Sequence, residues 1–310
     1  MKRWLPHLPL AAALVWLLLD GRRFFLDDAQ FLVEILLVTF ATRSIGLKAG
    51  VSALAWGIGA VPPLTVIVGL ALSAAGIDMT DGAGNSVIVP VVEETAKLLP
   101  VAMVAVLAGR WKAGLLNISD LLLLGCMSGA GFSMVESSYF DHVRVGERYG
   151  PHLGGLNLLP GAWGTAGYLG HAAATGLIAL GVGLGLYLKR KPRAAGWWWA
   201  VPVATFGWVA LEHGMANMYV NTGSRTWLML GAGRFTPWLF LAGVAAAVTI
   251  DRRNATSALQ QSKELQKRRV LVRAFLAKLW RTKRVPRFSA VLAAVEQLRL
   301  LNGTGWFNAR

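Results

Sequence analysis

One cysteine, Cys126, stands among 310 residues, and it lies inside an apolar run. That excludes an intramolecular disulfide and a cysteine-built metal cluster, and cysteine usage therefore says nothing about compartment. Charge is scarce as well. Only 15% of the residues are Asp, Glu, Lys or Arg, where a soluble domain carries about 25%. Acid is scarcer than base, with 16 Asp and Glu against 31 Lys and Arg. There is no H-E-x-x-H pair, no G-x-S-x-G elbow and no Walker loop. The soluble zinc-protease, serine-hydrolase and P-loop patterns are therefore without support. Nothing suggests an internal repeat.

Apolar residues fill the space left by charge. They make up 55% of the chain, and the mean hydropathy is +0.50. Several runs approach the roughly 20 residues that a bilayer core of about 30 Å requires. The composition predicts an all-α fold, a polytopic membrane helical bundle of about eight transmembrane helices. The expected spans are Trp4–Leu19, Gln30–Ala41, Val51–Ile77, Ser86–Ala108, Leu116–Ser137, Ala162–Leu188, Gly196–Tyr219 and Phe235–Ile250. Thirteen Trp, many near the ends of these runs, fit interfacial aromatic belts. The first run follows Lys2 and Arg3 but lacks a small-x-small cleavage site, so it reads as a retained signal anchor.

The net charge of +15 is uneven, because residues 251–310 hold 14 Lys and Arg against Asp251, Glu264 and Glu296. Two domains are expected: a membrane part over 1–250 and a basic tail over 251–310. Positive charge gathers on the cytoplasmic side. The tail, Lys189 to Lys191, Arg110 with Lys112, and Arg43 with Lys48 would then be cytoplasmic, and both termini with them, in a multi-pass cell-membrane protein. Residues 257–284 and 289–301 have amphipathic helical spacing with basic faces. They are expected to lie on anionic lipid. A solvated helix pair is the plainer alternative, and no nucleic-acid motif is present.

Ionisable groups at mid-membrane cost roughly 2.5–3.5 kcal/mol each on insertion scales, so each needs a reason. The fourth span holds Glu93, Glu94 and Lys97, and the fifth holds Phe132 and Glu136. The sixth holds His171 and Thr175, and the seventh His213 and Asn217. Each span's outer pair is spaced i, i+4 and shares one helix face. Counting turns along alternating helices puts all of them in the outer half of the membrane, as one shared polar site would. Singly, Glu93 with Lys97 could be a structural ion pair and each His a helix–helix hydrogen bonder. Together they can bind a divalent metal or activate water directly. Asn217 could offer an amide N–H to developing negative charge. Asp141, His142 and His152 fall in the outer loop 138–161, which could gate substrate entry, though ordinary loop polarity is the plainer reading.

These motifs resemble the PrsW family of intramembrane proteases, relatives of the CAAX prenyl endopeptidases and bacteriocin-processing enzymes. The resemblance rests on Glu93-Glu94 with Lys97, on Gly129-Ala130-Gly131-Phe132 with Glu136, on His171, and on His213 with Asn217, over roughly residues 85–220. Glu136 favours the PrsW branch, since CAAX-type relatives carry His there. The resemblance implies an intramembrane endopeptidase acting on membrane-anchored substrates, including anti-sigma factors. It implies that Glu93 activates water, that Glu136, His171 and His213 hold a divalent metal with zinc expected, and that Asn217 steadies the oxyanion. Glu94 and Lys97 would orient and tune Glu93. A glutamate-only version without metal stays open. Two rivals remain: a proton-coupled transporter or channel using the same carboxylates and histidines, and a non-catalytic scaffold that binds a partner helix.

Overall fold

The computed structural model describes residues 22–79, 82–112, 116–142, 170–222 and 235–256. The expected first span, His152 and the amphipathic segments after residue 256 lie outside these residues. All regular structure among the described residues is helical. The helices are α1 (Arg22–Thr39), α2 (Leu47–Gly59), α3 (Val61–Ala74), α4 (Val89–Lys112), α5 (Ile118–His142), α6 (His171–Lys189) and α7 (Ala200–Thr222). Residues 236–256 form α8. A π-helical turn, Gly84–Ile88, leads into α4, and a 3₁₀ turn, Ala195–Trp197, precedes α7. Met1–Thr249 form one compact unit, which holds every contact described below, and Ile250–Arg310 form a second.

The segments Ile118–Glu136 and His171–Lys189 are long and apolar enough to cross a membrane. The α2–α3 pair meets the same test as one span bent by 41°. The sequence leads one to expect a single span over Val51–Ile77, and Pro62 and Pro63 explain the bend within it. They occupy the first turn of α3, where missing N–H groups cost nothing, but could not continue α2. Among the described residues, the sixth span begins at Gly170. Gly170 has φ of +83°, so α6 begins at His171 and that histidine stands at a helix start, not mid-helix.

Helix α5 is the central post. Leu121 to Leu124, Cys126, Met127, Ala130 and Met134 are all buried, so it is apolar around its whole circumference, as a fully enclosed helix must be. It packs against α1, α2, α4 and α6. Glycine permits the closest approaches. A Cβ at Gly129 would lie 2.2 Å from the His171 carbonyl, and one at Gly131 would lie 2.3 Å from the Leu54 carbonyl. Backbones meet where side chains are missing, the usual device of membrane helices.

At the start of α5, Asp120 accepts hydrogen bonds from the N–H groups of Ser44, Ile45 and Asn117, at 2.6, 3.0 and 2.9 Å. The Ser44 hydroxyl donates to it as well. One carboxylate thus caps α5 and ties the α1–α2 link to it. Inside α4, Pro100 has no N–H for the Ala96 carbonyl. The Trp56 indole of α2 donates to that oxygen instead, at 3.0 Å. A proline is tolerated in such a helix because a neighbour supplies the missing donor.

Candidate active site

Helices α4, α5, α6 and α7 each contribute to one buried polar cluster. Glu93, Glu94 and Lys97 occupy consecutive turns of α4, and Glu136 comes from α5, His171 and Thr175 from α6, and His213 from α7. Lys97 has no exposed surface. Its ammonium lies 2.7 Å from Glu94 Oε1 and 3.7 Å from Glu93 Oε2. It is also 2.8 Å from His171 Nδ1 and 4.5 Å from the centre of the Phe132 ring. The Ser128 hydroxyl of α5 donates to the Lys97 carbonyl at 2.7 Å, fixing the turn that carries it.

These contacts determine where protons sit. Lys97 has only donors, so His171 Nδ1 accepts, and the ring's Nε2–H donates to Glu136 Oε2. Glu94 is enclosed: Oε1 takes Lys97 and, at 3.2 Å, His213 Nδ1, while Oε2 takes the Thr175 hydroxyl at 3.1 Å. With Nδ1–H of His213 pointed at Glu94, the Nε2 lone pair is left facing Glu93 Oε2, 3.8 Å away. The two imidazoles meet edge to face at 5.0 Å, and Phe132 packs against His171 at 4.9 Å.

Glu93 stands apart from this satisfied network. Its Oε2 is a buried oxygen with no hydrogen-bond partner. Buried polar atoms are nearly always paired, and exceptions concentrate at functional positions. Donor atoms of Glu93, His171 and His213 lie within 4.8 Å of one another, a grouping able to hold a metal ion. Charge points the same way. With all three carboxylates ionised and both imidazoles neutral, three carboxylates would face one ammonium, and a divalent cation would balance the two negative charges left. Nitrogen and carboxylate donors suit zinc and its first-row neighbours. The residues present therefore fit a divalent metal.

The structure thus brings together six of the seven residues singled out in sequence. The seventh, Asn217, lies one turn beyond His213, and its amide nitrogen donates to the Asn85 carbonyl at 3.1 Å. Asp141 and His142 lie in the last turn of α5. Thr175 and Ser128 were not assigned roles from sequence. Thr175 could have been, because it follows His171 by four residues on the same face. Ser128 carried no such signal, since its acceptor is a backbone carbonyl 31 residues away.

No curated protein and no solved structure matches the chain. Residues 47–250 match the family model of the PrsW family intramembrane metalloproteases. That stretch holds all four helices of the buried carboxylate–histidine cluster, and the chain belongs to this family.

Proposed function

We propose that this chain is a multi-pass endopeptidase of the cell membrane that hydrolyses peptide bonds of membrane-anchored regulatory proteins, with Glu93 as the group that activates water. The observation that carries the reading is the buried Glu93 Oε2, without a hydrogen bond of its own, facing Nε2 of His213. A general base needs an accessible lone pair within reach of the proton it takes, and the other carboxylates of the cluster are already engaged.

Glu93, His171 and His213, a set with Glu93 in place of the Glu136 expected from sequence, would hold a divalent cation, with zinc expected, and His171 Nδ1 would exchange its Lys97 hydrogen bond for the ion. When bound, such an ion polarises the scissile carbonyl and acidifies water. Glu94 orients His213 through Nδ1, leaving Nε2 turned inward. Glu136 orients His171 through Nε2, while Nδ1 of that ring takes Lys97. Lys97 holds Glu94 ionised by proximity and fixes the His171 tautomer. Glu93 is required with or without metal. The buried setting keeps bulk water from the cluster, where electrostatic contacts are stronger than in solution. We further propose about eight membrane crossings with both termini cytoplasmic, and a tail over 251–310 that lies on anionic lipid.

The test compares membranes of cells making the wild type, Glu93→Gln and His213→Ala at equal level, by terminal-peptide proteomics. New termini near the membrane ends of single-span proteins, present only with wild type, are expected. Identical termini in all three strains, with folded and abundant wild-type protein, would remove proteolysis as the function. Glu93-dependent proton flux in liposomes would then favour the transporter reading.

A further inference from the structure

The turn that leads into α4 has an unusual backbone, and Pro90 is at its centre. Val89 donates its N–H to the Gly84 carbonyl, five residues back, as a π-turn requires. At α-helical spacing Pro90 would donate to the Ser86 carbonyl, and at π spacing to the Asn85 carbonyl. It has no N–H and can do neither. One carbonyl, that of Asn85 at π spacing or of Ser86 at α spacing, thus lacks its proline donor, directly before the helix that carries Glu93, Glu94 and Lys97. Buried backbone carbonyls find partners elsewhere.

Helix α7 meets both of these carbonyls. Asn217 Nδ2 donates to the Asn85 carbonyl at 3.1 Å, with the Asn85 side-chain oxygen 3.4 Å away. Three residues earlier, Gly214 lies against the Ser86 carbonyl so closely that a Cβ would come within 1.8 Å of that oxygen. The approach is open only to glycine. On the other side of the turn, a Cβ at Gly84 would come within 1.9 Å of the Asp78 carbonyl. The turn is therefore gripped from both sides, and α7 supplies the polar grip. The same helix reaches Glu94 through His213.

We propose that Asn217 is a positioning residue: together with Gly214 it clamps the π-turn and so sets the rotation of α4 that aims Glu93 at His213. A π-turn holds one residue more than an α-turn. Its relaxation to α geometry would rotate the following helix by about 100°, one residue's worth of turn. Glu93 and Glu94 begin only five residues after the turn ends, so their facing depends on it. On this reading Asn217 supplies the hydrogen bond that Pro90 cannot, as Trp56 does for Pro100. The proposal rests on the protease reading for its effect on activity, but the clamp itself is testable without it.

The experiment uses the full chain in detergent, as wild type, Asn217→Ala, Gly214→Ala and the double variant. Amide hydrogen exchange is followed over residues 84–94, and kcat and KM are measured on a substrate found by the proteomic test. The clamp predicts faster exchange over 84–94 in Asn217→Ala, with the rest of α4 and α5 unchanged. It predicts a fall in kcat of ~10²-fold, the effect of roughly 1 Å misplacement, with KM within about twofold. The double variant should be no worse than the poorer single one, because both break one device. Unchanged exchange over 84–94 in Asn217→Ala overturns the clamp and returns Asn217 to the oxyanion role, whether or not Gly214→Ala folds. Multiplicative losses in the double variant also overturn it. If no substrate is ever found, the exchange arm alone decides, and the failure belongs to the protease reading.

Discussion

Glu93 and Lys97 lie one turn apart on α4 and should respond to mutation in opposite ways. Glu93 Oε2 is buried without a hydrogen-bond partner, and an unsatisfied buried group costs about 1–3 kcal/mol. Glu93→Gln should therefore abolish cleavage while leaving the unfolding free energy unchanged or about 1 kcal/mol higher. Lys97→Met removes the ammonium on which Glu94, Glu93 and His171 converge. Breaking such a buried pair costs about 3–5 kcal/mol. Denaturant titration in mixed micelles measures both, and equal destabilisation by the two would mean that Glu93 is an ordinary structural partner. Sequence disclosed these residues because an ionisable group in an apolar run stands out against its background. Glu212, buried beside His213, stands out by the same rule, but its partner does not: it accepts from the Thr236 hydroxyl at 2.6 Å. That hydroxyl also takes the Trp208 indole N–H at 2.9 Å. Neither Thr nor Trp departs from an apolar pattern enough to announce the pairing.

Among the helices, the glycines divide into those with a neighbour and those without. Gly129 faces the His171 carbonyl and the Ala172 Cα, which are backbone atoms that cannot rotate aside. Gly129→Ala should cost about 1–3 kcal/mol, as overpacking does, and cleavage should fall with it because α6 would be displaced at His171. Around Gly69 of α3, nothing lies within 4 Å of the place a methyl group would take. Gly69→Ala should be neutral or up to about 1 kcal/mol stabilising, from helix propensity alone. Thermal unfolding of the two variants side by side checks the contrast, and a harmless Gly129→Ala would refute the close α5–α6 approach. Helix existence was legible from apolar runs, while helix ends were not. The break between α2 and α3 needed Pro62 and Pro63 to be weighed above continuous hydropathy. The start of α6 needed the conformation of Gly170, which a run of small apolar residues conceals. At α4, the prolines were visible, but the donors that complete their carbonyls come from α2 and α7, at sequence separations of 40 and 132 residues.

For the molecule as a whole, the motifs over roughly 85–220 sit inside the wider family match over 47–250, because the chemistry is confined to four helices and the rest is scaffold. The number of crossings was less legible. Helices such as α4 and α7 carry the polar residues of the site, so the groups that mark them as functional also blur them as spans. The charge balance of the cluster leads to the last prediction. Three buried carboxylates against one lysine should make the folded protein a selective ligand for a divalent cation, while the unfolded chain offers no such assembly. Binding to the folded state alone adds about 2.7 kcal/mol at a hundredfold excess over Kd. Thermal unfolding of detergent-solubilised protein should therefore shift downward with a strong chelator and recover with added zinc. Glu93→Gln and His213→Ala should remove the shift. Asn217→Ala should keep most of it, because its amide lies on Asn85 and supplies no metal donor. An identical unfolding curve with zinc and with chelator would mean that the cluster works without metal. Glu93 would then be the sole activator of water, with Lys97 the only cation in the cluster among the described residues.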